Sequence, residues 1–232
     1  MVYSTAYKIN LTEKILYIVI VLLLFHITRN ISTIVYVGLL FFAYTLLYIV
    51  YFGTKWKNGN VFKIEYKPIE LFFVFSLMMI PVISLLNMEI NEFIISFGRY
   101  MVTFPFIFFI VTYKEFSIDF IRKTFKTIII FMTLAALSIP YQIVFGPITF
   151  FTDASIREGV IRYTSLAGSL TALGTLGALA LAVLLFTENY LFTKKSRYFL
   201  IILLLFGMLL SLQKAAIANI FICFTLYILL NK

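Results

Sequence analysis

Long apolar runs alternate with short polar segments along the whole chain. After the polar opening MVYSTAYKINLTEK, apolar residues extend from Ile15 to about Thr28, and Ile9 to Leu11 are available to lengthen that run. A second run, Ile31 to Phe52, follows a tight turn, so the two are predicted to be antiparallel neighbours. The polar stretch GTKWKNGNVFKIEYKP then leads to runs at Ile69–Leu86 and about Phe93–Thr112, joined by the acidic NMEINE. Four more follow at Thr127–Phe145, Ser169–Thr187, Tyr198–Leu212 and Ala215–Leu230. A span needs roughly 20 apolar residues, so the pattern predicts an all-α, polytopic transmembrane helix bundle of about eight spans. Pro81, Pro105 and Pro140 fall inside three of the runs, where membrane helices tolerate proline as a kink.

Three segments follow from this pattern. Residues 1–145 carry five helices, residues 146–168 a polar loop opened by the breaker Gly146-Pro147, and residues 169–232 three more helices. The basic, mildly amphipathic YKEFSIDFIRKTFK is predicted to lie flat on the inner face of the membrane. A cleaved signal peptide is the competing reading of the first run, but no small-x-small site follows in HITRNIS, which favours a retained helix.

Composition strengthens the membrane reading. With 62% hydrophobic residues, 12% charged and a mean hydropathy of +1.04, the chain has more apolar surface than a soluble core of this size could hide. The net charge of +9 does not point to nucleic acid, because the cations gather in short loops between apolar runs and form no basic-aromatic strip. Lysines and arginines in short loops are retained in the cytoplasm. With the N-terminus inside, the inner segments hold Lys8, Lys14, Lys55, Lys57, Lys63, Lys67, Lys114, Arg122, Lys123, Lys126, Lys194, Lys195, Arg197 and Lys232, fourteen of the 19 cations. Both termini are therefore expected in the cytoplasm, and Arg29, Arg157, Arg162 and Lys214 on the outside.

Those outer cations run against the bias and need a reason. Arg157 and Arg162 share one loop, and a guanidinium presents a planar fork of donors that matches phosphate oxygens. Two of them at one site would suit a diphosphate headgroup and could stabilise a departing diphosphate during group transfer. Pairing with Asp153, Glu158 or anionic lipid is the plainer alternative. Arg99 lies about five residues inside the fourth run, shallow enough to snorkel toward the same face. After the loop, Gly174, Ala178 and Ala182 recur every four residues as a thin stripe for close helix packing. His26 is the only histidine and suits a polar interface better than catalysis. Cys223 lies in an apolar run as a packed or lipid-facing thiol. No acidic or histidine cluster suggests a metal, and no cofactor is expected.

The loop REGVIRYTSLAGSLTALG entering a Gly/Ala-rich helix, together with LLSLQKAAIAN at Leu209–Asn219, resembles the bacterial O-antigen polymerase and ligase superfamily. The second element is similar to the family's S-x-S-R-x-A, with Gln213 in place of serine and Lys214 in place of arginine. The likeness covers Tyr141 to Asn219, about a third of the chain. It implies a membrane transferase of the bacterial inner membrane that takes a polyprenyl diphosphate-linked glycan as donor on the outer face. Arg157 and Arg162 would then be catalytic, and Arg157, Arg162, Lys214 and Arg99 would contact the diphosphate or glycan. Partners would be that glycan, membrane lipid and other polysaccharide-assembly proteins. Members of the family continue into a large outer loop and further helices, so the likeness implies a truncated or shorter member. A flippase or permease for lipid-linked oligosaccharide, and a non-catalytic subunit of an assembly complex, are the alternatives; no internal repeat supports a transporter.

Overall fold

The computed structural model describes residues 9–24, 33–57, 71–72, 75–76, 78–79, 83, 104–113, 116–148, 154–157, 160–167, 170–187 and 190–230. Seven helices stand among them: α1 (Leu11–Leu24), α2 (Thr33–Lys57), α3 (104–112), α4 (Ile118–Phe145), α5 (Leu170–Phe186), α6 (Lys194–Leu210) and α7 (Lys214–Leu230). The described architecture is helical except for one antiparallel hairpin, β1 (Ala154–Arg157) and β2 (Val160–Tyr163), inside the loop between α4 and α5. The chain forms two compact units, Met1–Val19 with Val37–Ser117, and Ile20–Tyr36 with Ile118–Lys232. Most of the third and fourth apolar runs, with Pro81 and Arg99, lies outside the described residues, as do His26 and Arg29.

In the first unit, Asn10 caps α1. Its side-chain oxygen accepts from the Glu13 N–H at 2.8 Å, and the Glu13 carboxylate accepts from the Asn10 N–H at 3.1 Å. This reciprocal box satisfies two donors that the helix start would otherwise orphan. Glu13 is fully buried, yet its carboxylate also takes the N–H and hydroxyl of Ser117, so its acceptors are used. Asn10 donates as well to the Tyr113 hydroxyl at 2.8 Å. Tyr51, Phe109 and Tyr113 meet edge-on or stacked at 5.4 to 5.8 Å, holding α2 against α3.

The second unit is a four-helix bundle. α4 packs on α5 and α6, and α5 on α7. Contacts at Arg122 with Tyr190, Lys126 with Phe192 and Ala136 with Gly207 climb together, so α4 and α6 run in the same direction. α5 and α7 likewise run together, through Gly174 with Ala216, Ala178 with Cys223 and Phe186 with Tyr227. The first pair points one way and the second returns. The hairpin, the Ser211–Gln213 turn and the starts of α5 and α7 therefore share one end of the bundle. The starts of α4 and α6 share the other.

The Gly174 and Ala178 stripe is a packing stripe. Gly174 lies against Ala215 and the Ala216 backbone, and a Cβ added there would come within 3.2 Å of the Ala216 nitrogen. Its carbonyl accepts from Asn219 Nδ2 at 3.0 Å, and one turn later the Ala178 carbonyl receives the Cys223 thiol at 3.6 Å. Small residues let the two backbones approach, and the freed space admits polar cross-links. Cys223 is thus a packed thiol.

α4 corrects one expectation. The segment from Ile118 to Lys126 is no separate surface helix; it forms the first turns of a single 28-residue helix that runs to Phe145. No glycine or proline interrupts residues 118 to 139, and Asp119 sits in the first turn, where a negative charge complements the macrodipole. At 1.5 Å per residue the helix is about 42 Å long, enough for a hydrocarbon core of about 30 Å with one interfacial end.

Among the described residues, two helical stretches, Gly38–Trp56 and Ile118–Phe145, are long and apolar enough to cross a membrane; α7 and most of α5 are shorter apolar helices. α6 shows what the outward faces are like. Ile201, Leu204 and Met208 are buried on one side, while Phe199, Ile202, Phe206 and Leu209 on the other are each at least half exposed. A helix apolar on both faces suits lipid on the face that no protein covers.

Candidate functional site

The ribbon that carries the two loop arginines has a defined register. Ala154 stands opposite Tyr163, Ser155 opposite Arg162, Ile156 opposite Ile161 and Arg157 opposite Val160. Residues directly opposite share a face and alternate along each strand. Positions 155, 157, 160 and 162 therefore fall on one face, and 154, 156, 161 and 163 on the other. Arg157 and Arg162 are diagonal neighbours on the same face, with Cα positions separated by about 7–8 Å at most. A diphosphate could bridge two groups so spaced. The strands form because Ile156, Val160 and Ile161 favour extended backbone and the register leaves a two-residue connection, Glu158-Gly159, where glycine suits a hairpin.

Where the ribbon leads back to the bundle, its backbone is pinned to α4. Gln142 is fully buried, and its Nε2 donates to the Thr164 carbonyl at 2.9 Å and to the Ser138 carbonyl at 3.1 Å. The Ile148 N–H donates to Gln142 Oε1 at 3.4 Å. One turn earlier, Ser138 Oγ accepts from the Leu166 N–H at 3.2 Å. Ser165 is itself buried and accepts from the Ala167 N–H. The segment before the ribbon and the segment after it are therefore held by one glutamine. The sequence reading passed over Ser138 and Gln142. Their signal was present, since a glutamine in an otherwise apolar span is retained where it has hydrogen-bonding work to do.

The second element at this end of the bundle is the Ser211–Gln213 turn. Leu212 takes a left-handed backbone with φ of 51°, and α6 closes with the Ser211 N–H donating to the Gly207 carbonyl and the Leu212 N–H to the Leu209 carbonyl. Gln213 is buried, and neither amide atom has a hydrogen-bond partner among the described residues. Lys214 follows as the exposed first residue of α7. A buried amide with no partner costs on the order of 1–3 kcal/mol, so this turn presents a polar group that no described residue satisfies.

The predicted residues are distributed as follows. Arg157 and Arg162 share the ribbon face, and Lys214 begins a helix at the same end of the bundle. Arg99, Asp153 and Glu158 lie outside the described residues. Among the described residues, no three His, Cys, Asp or Glu side chains come together. In the first unit an open apolar groove is lined by Phe41, Tyr44, Thr45, Tyr48, Ile49, Phe52 and Pro105, with no charged group to carry chemistry. Compared with protein-family models, with curated proteins and with solved structures, the chain matches none.

Proposed function

We propose that this chain is a multi-pass protein of the bacterial cytoplasmic membrane, with about eight spans and both termini inside. Its second unit binds the diphosphate of a lipid-linked glycan at the outer face and takes part in polymerising or ligating that glycan. The observation that carries this reading is the ribbon register, which sets Arg157 and Arg162 as diagonal neighbours on one face. Paired guanidinium groups suit a diphosphate because each offers a rigid fork of donors to adjacent phosphate oxygens.

The charge layout of the bundle supports the orientation. The end formed by the starts of α4 and α6 carries Arg122, Lys123, Lys126, Lys194, Lys195 and Arg197, whereas the ribbon end carries Arg157, Arg162 and Lys214. The richer end is the cytoplasmic one by the positive-inside rule. In the first unit, the bonds from Ser117 to Glu13 join the N-terminal segment to the segment before α4, two stretches that this topology puts on the same inner side.

In the transfer, an acceptor hydroxyl oxygen bonds to the anomeric carbon of the donor glycan while the bond from that carbon to the diphosphate oxygen breaks. The bonding pair leaves with the diphosphate, and the hydroxyl proton goes to water or a carboxylate at this face. Arg157 and Arg162 stabilise the charge that grows on the leaving diphosphate, the position where fixed positive groups lower a barrier most. Lys214 and Arg99 add binding to the diphosphate or the glycan.

The test is the surface-polysaccharide ladder of a deletion strain complemented with the wild-type chain, Arg157→Ala or Arg162→Ala, with membrane abundance measured alongside. Long or attached chains with the wild type and their loss in both variants at equal abundance is the expected result. Normal ladders from both variants would remove the arginine mechanism.

A further inference from the structure

The opposite end of the bundle holds a buried guanidinium that no described residue pairs. Arg197 lies on the buried stripe of α6 with Ile201, Leu204 and Met208 and is only 9% exposed. Its Nε and Nη1 are buried with no hydrogen-bond partner among the described residues, and its guanidinium carbon lies 5.2 Å from the centre of the adjacent Tyr198 ring. An unpaired buried charge is among the costliest features a protein can carry.

The surroundings raise the cost. α6 has no acidic residue in its first turn and instead begins with Lys194, Lys195 and Arg197, all placed where the helix macrodipole is already positive. Thr193 caps the helix by accepting from the Ser196 N–H, which leaves the N–H groups of Lys194 and Lys195 pointing out of the helix start. From α4 come Arg122, Lys123 and Lys126. Arg122 lies over the Tyr190 ring at 4.6 Å and Lys126 over the Phe192 ring at 5.7 Å. Asp119 is the sole carboxylate among the described residues of this unit, and it is engaged by Arg122 at 3.7 Å. Arg122 Nε, too, is buried without a hydrogen-bond partner.

We propose that the start of α6, which carries Lys194, Lys195 and Arg197 in its first turn and shares its end of the bundle with Arg122, binds a phosphate group. An anion there would pair the buried guanidinium, accept the N–H groups of the helix start and offset the excess positive charge of the described residues at once. Phosphate is the shared chemistry of an anionic phospholipid headgroup and of a soluble phosphate, and both are present at a cytoplasmic surface. The site is separate from the arginine ribbon and stands at the other end of the bundle; its cytoplasmic side follows from the proposed topology.

The test uses the full-length chain purified in mild detergent and its Arg197→Met variant, melted alone, with inorganic phosphate, and in nanodiscs of phosphatidylcholine with or without phosphatidylglycerol. Wild type should gain about 3–5 °C from phosphatidylglycerol over phosphatidylcholine alone, and native mass spectrometry should show at least about tenfold more retained phosphatidylglycerol than in Arg197→Met. Without ligand, Arg197→Met should melt at or above wild type, because an unpaired charge has been replaced by an apolar chain. A gain from inorganic phosphate alone, lost in Arg197→Met, identifies a soluble phosphate as the ligand. Equal gains in wild type and variant, or no gain from either source, overturn the proposal. The double variant Lys194→Gln/Lys195→Gln, with both side chains exposed, should lose most of the gain and serves if Arg197→Met does not fold. Arg157→Ala should keep the whole gain, which separates failure here from failure of the outer-face reading.

Discussion

Gly207 sits directly on the main-chain carbonyl of Ala136, the carbonyl that Pro140 deprives of its helical donor. Proline at position 140 has no N–H to return to residue 136, and its ring pushes that carbonyl off the helix axis. α6 meets α4 at this point, and only a residue without a Cβ fits. An added Cβ would overlap the carbonyl and stand 2.6 Å from the Ala136 Cβ. The proline and the glycine are thus two halves of one contact.

The contact sets a prediction whose sign is opposite to helix propensity. Alanine is a better helix former than glycine by about 1 kcal/mol, so Gly207→Ala would stabilise an isolated α6. In the bundle, the overlap should force α4 and α6 apart and destabilise the unit by about 1–3 kcal/mol. Thermal melting of purified wild type and Gly207→Ala in the same detergent measures the difference. A variant that melts higher than wild type would show that the helices do not meet as described.

Gln142 is the second point of leverage, because it holds the backbone on both sides of the ribbon. Gln142→Leu keeps the side-chain volume roughly constant but leaves the Thr164 carbonyl and the Ile148 N–H without this partner. The loss should be about 1–3 kcal/mol and local to the ribbon, since the Ser138 bond to Leu166 remains. Limited proteolysis should therefore cut between residues 148 and 167 several times faster in Gln142→Leu, with the helices still resistant. Unchanged cleavage would mean that the glutamine is a passenger in the span.

How much of this was legible in the sequence depends on the range of the interaction. The apolar runs from Thr127 to Phe145, Ser169 to Thr187, Tyr198 to Leu212 and Ala215 to Leu230 are helical in their described parts except at Thr187, Ser211 and Leu212, because hydrophobic length is a local property. The Gly174 and Ala178 stripe read correctly as packing for the same reason. The start of α4 did not, since the cations of DFIRKTFK mimic a surface helix and their continuity with the following span is decided by an unbroken hydrogen-bond ladder. The ribbon was read as loop although ASIREGVIRY holds two short β-branched stretches around a glycine. Four-residue strands are too short for alternation to stand out. Gln142, Ser138 and Arg197 were the least legible, because what each one touches, or fails to touch, comes from a helix or loop distant in sequence.

The orientation of the bundle is open to a direct chemical test. Lys195 and Lys214 are both exposed, and they begin successive helices, α6 and α7, that run in opposite directions. They must emerge at opposite ends of the bundle. In a Cys223→Ala background, which removes the native thiol, Lys214→Cys should react with a membrane-impermeant maleimide added to intact spheroplasts. Lys195→Cys should react only after the membrane is opened. The proposed topology requires this order, because the cation-rich end bearing Lys195 is retained inside. The reverse order would place the arginine ribbon in the cytoplasm and end the outer-face transfer reading, while leaving the phosphate site at α6 to be judged on its own binding data. Equal labelling of both in intact spheroplasts would mean that the second unit does not cross the membrane as a bundle at all.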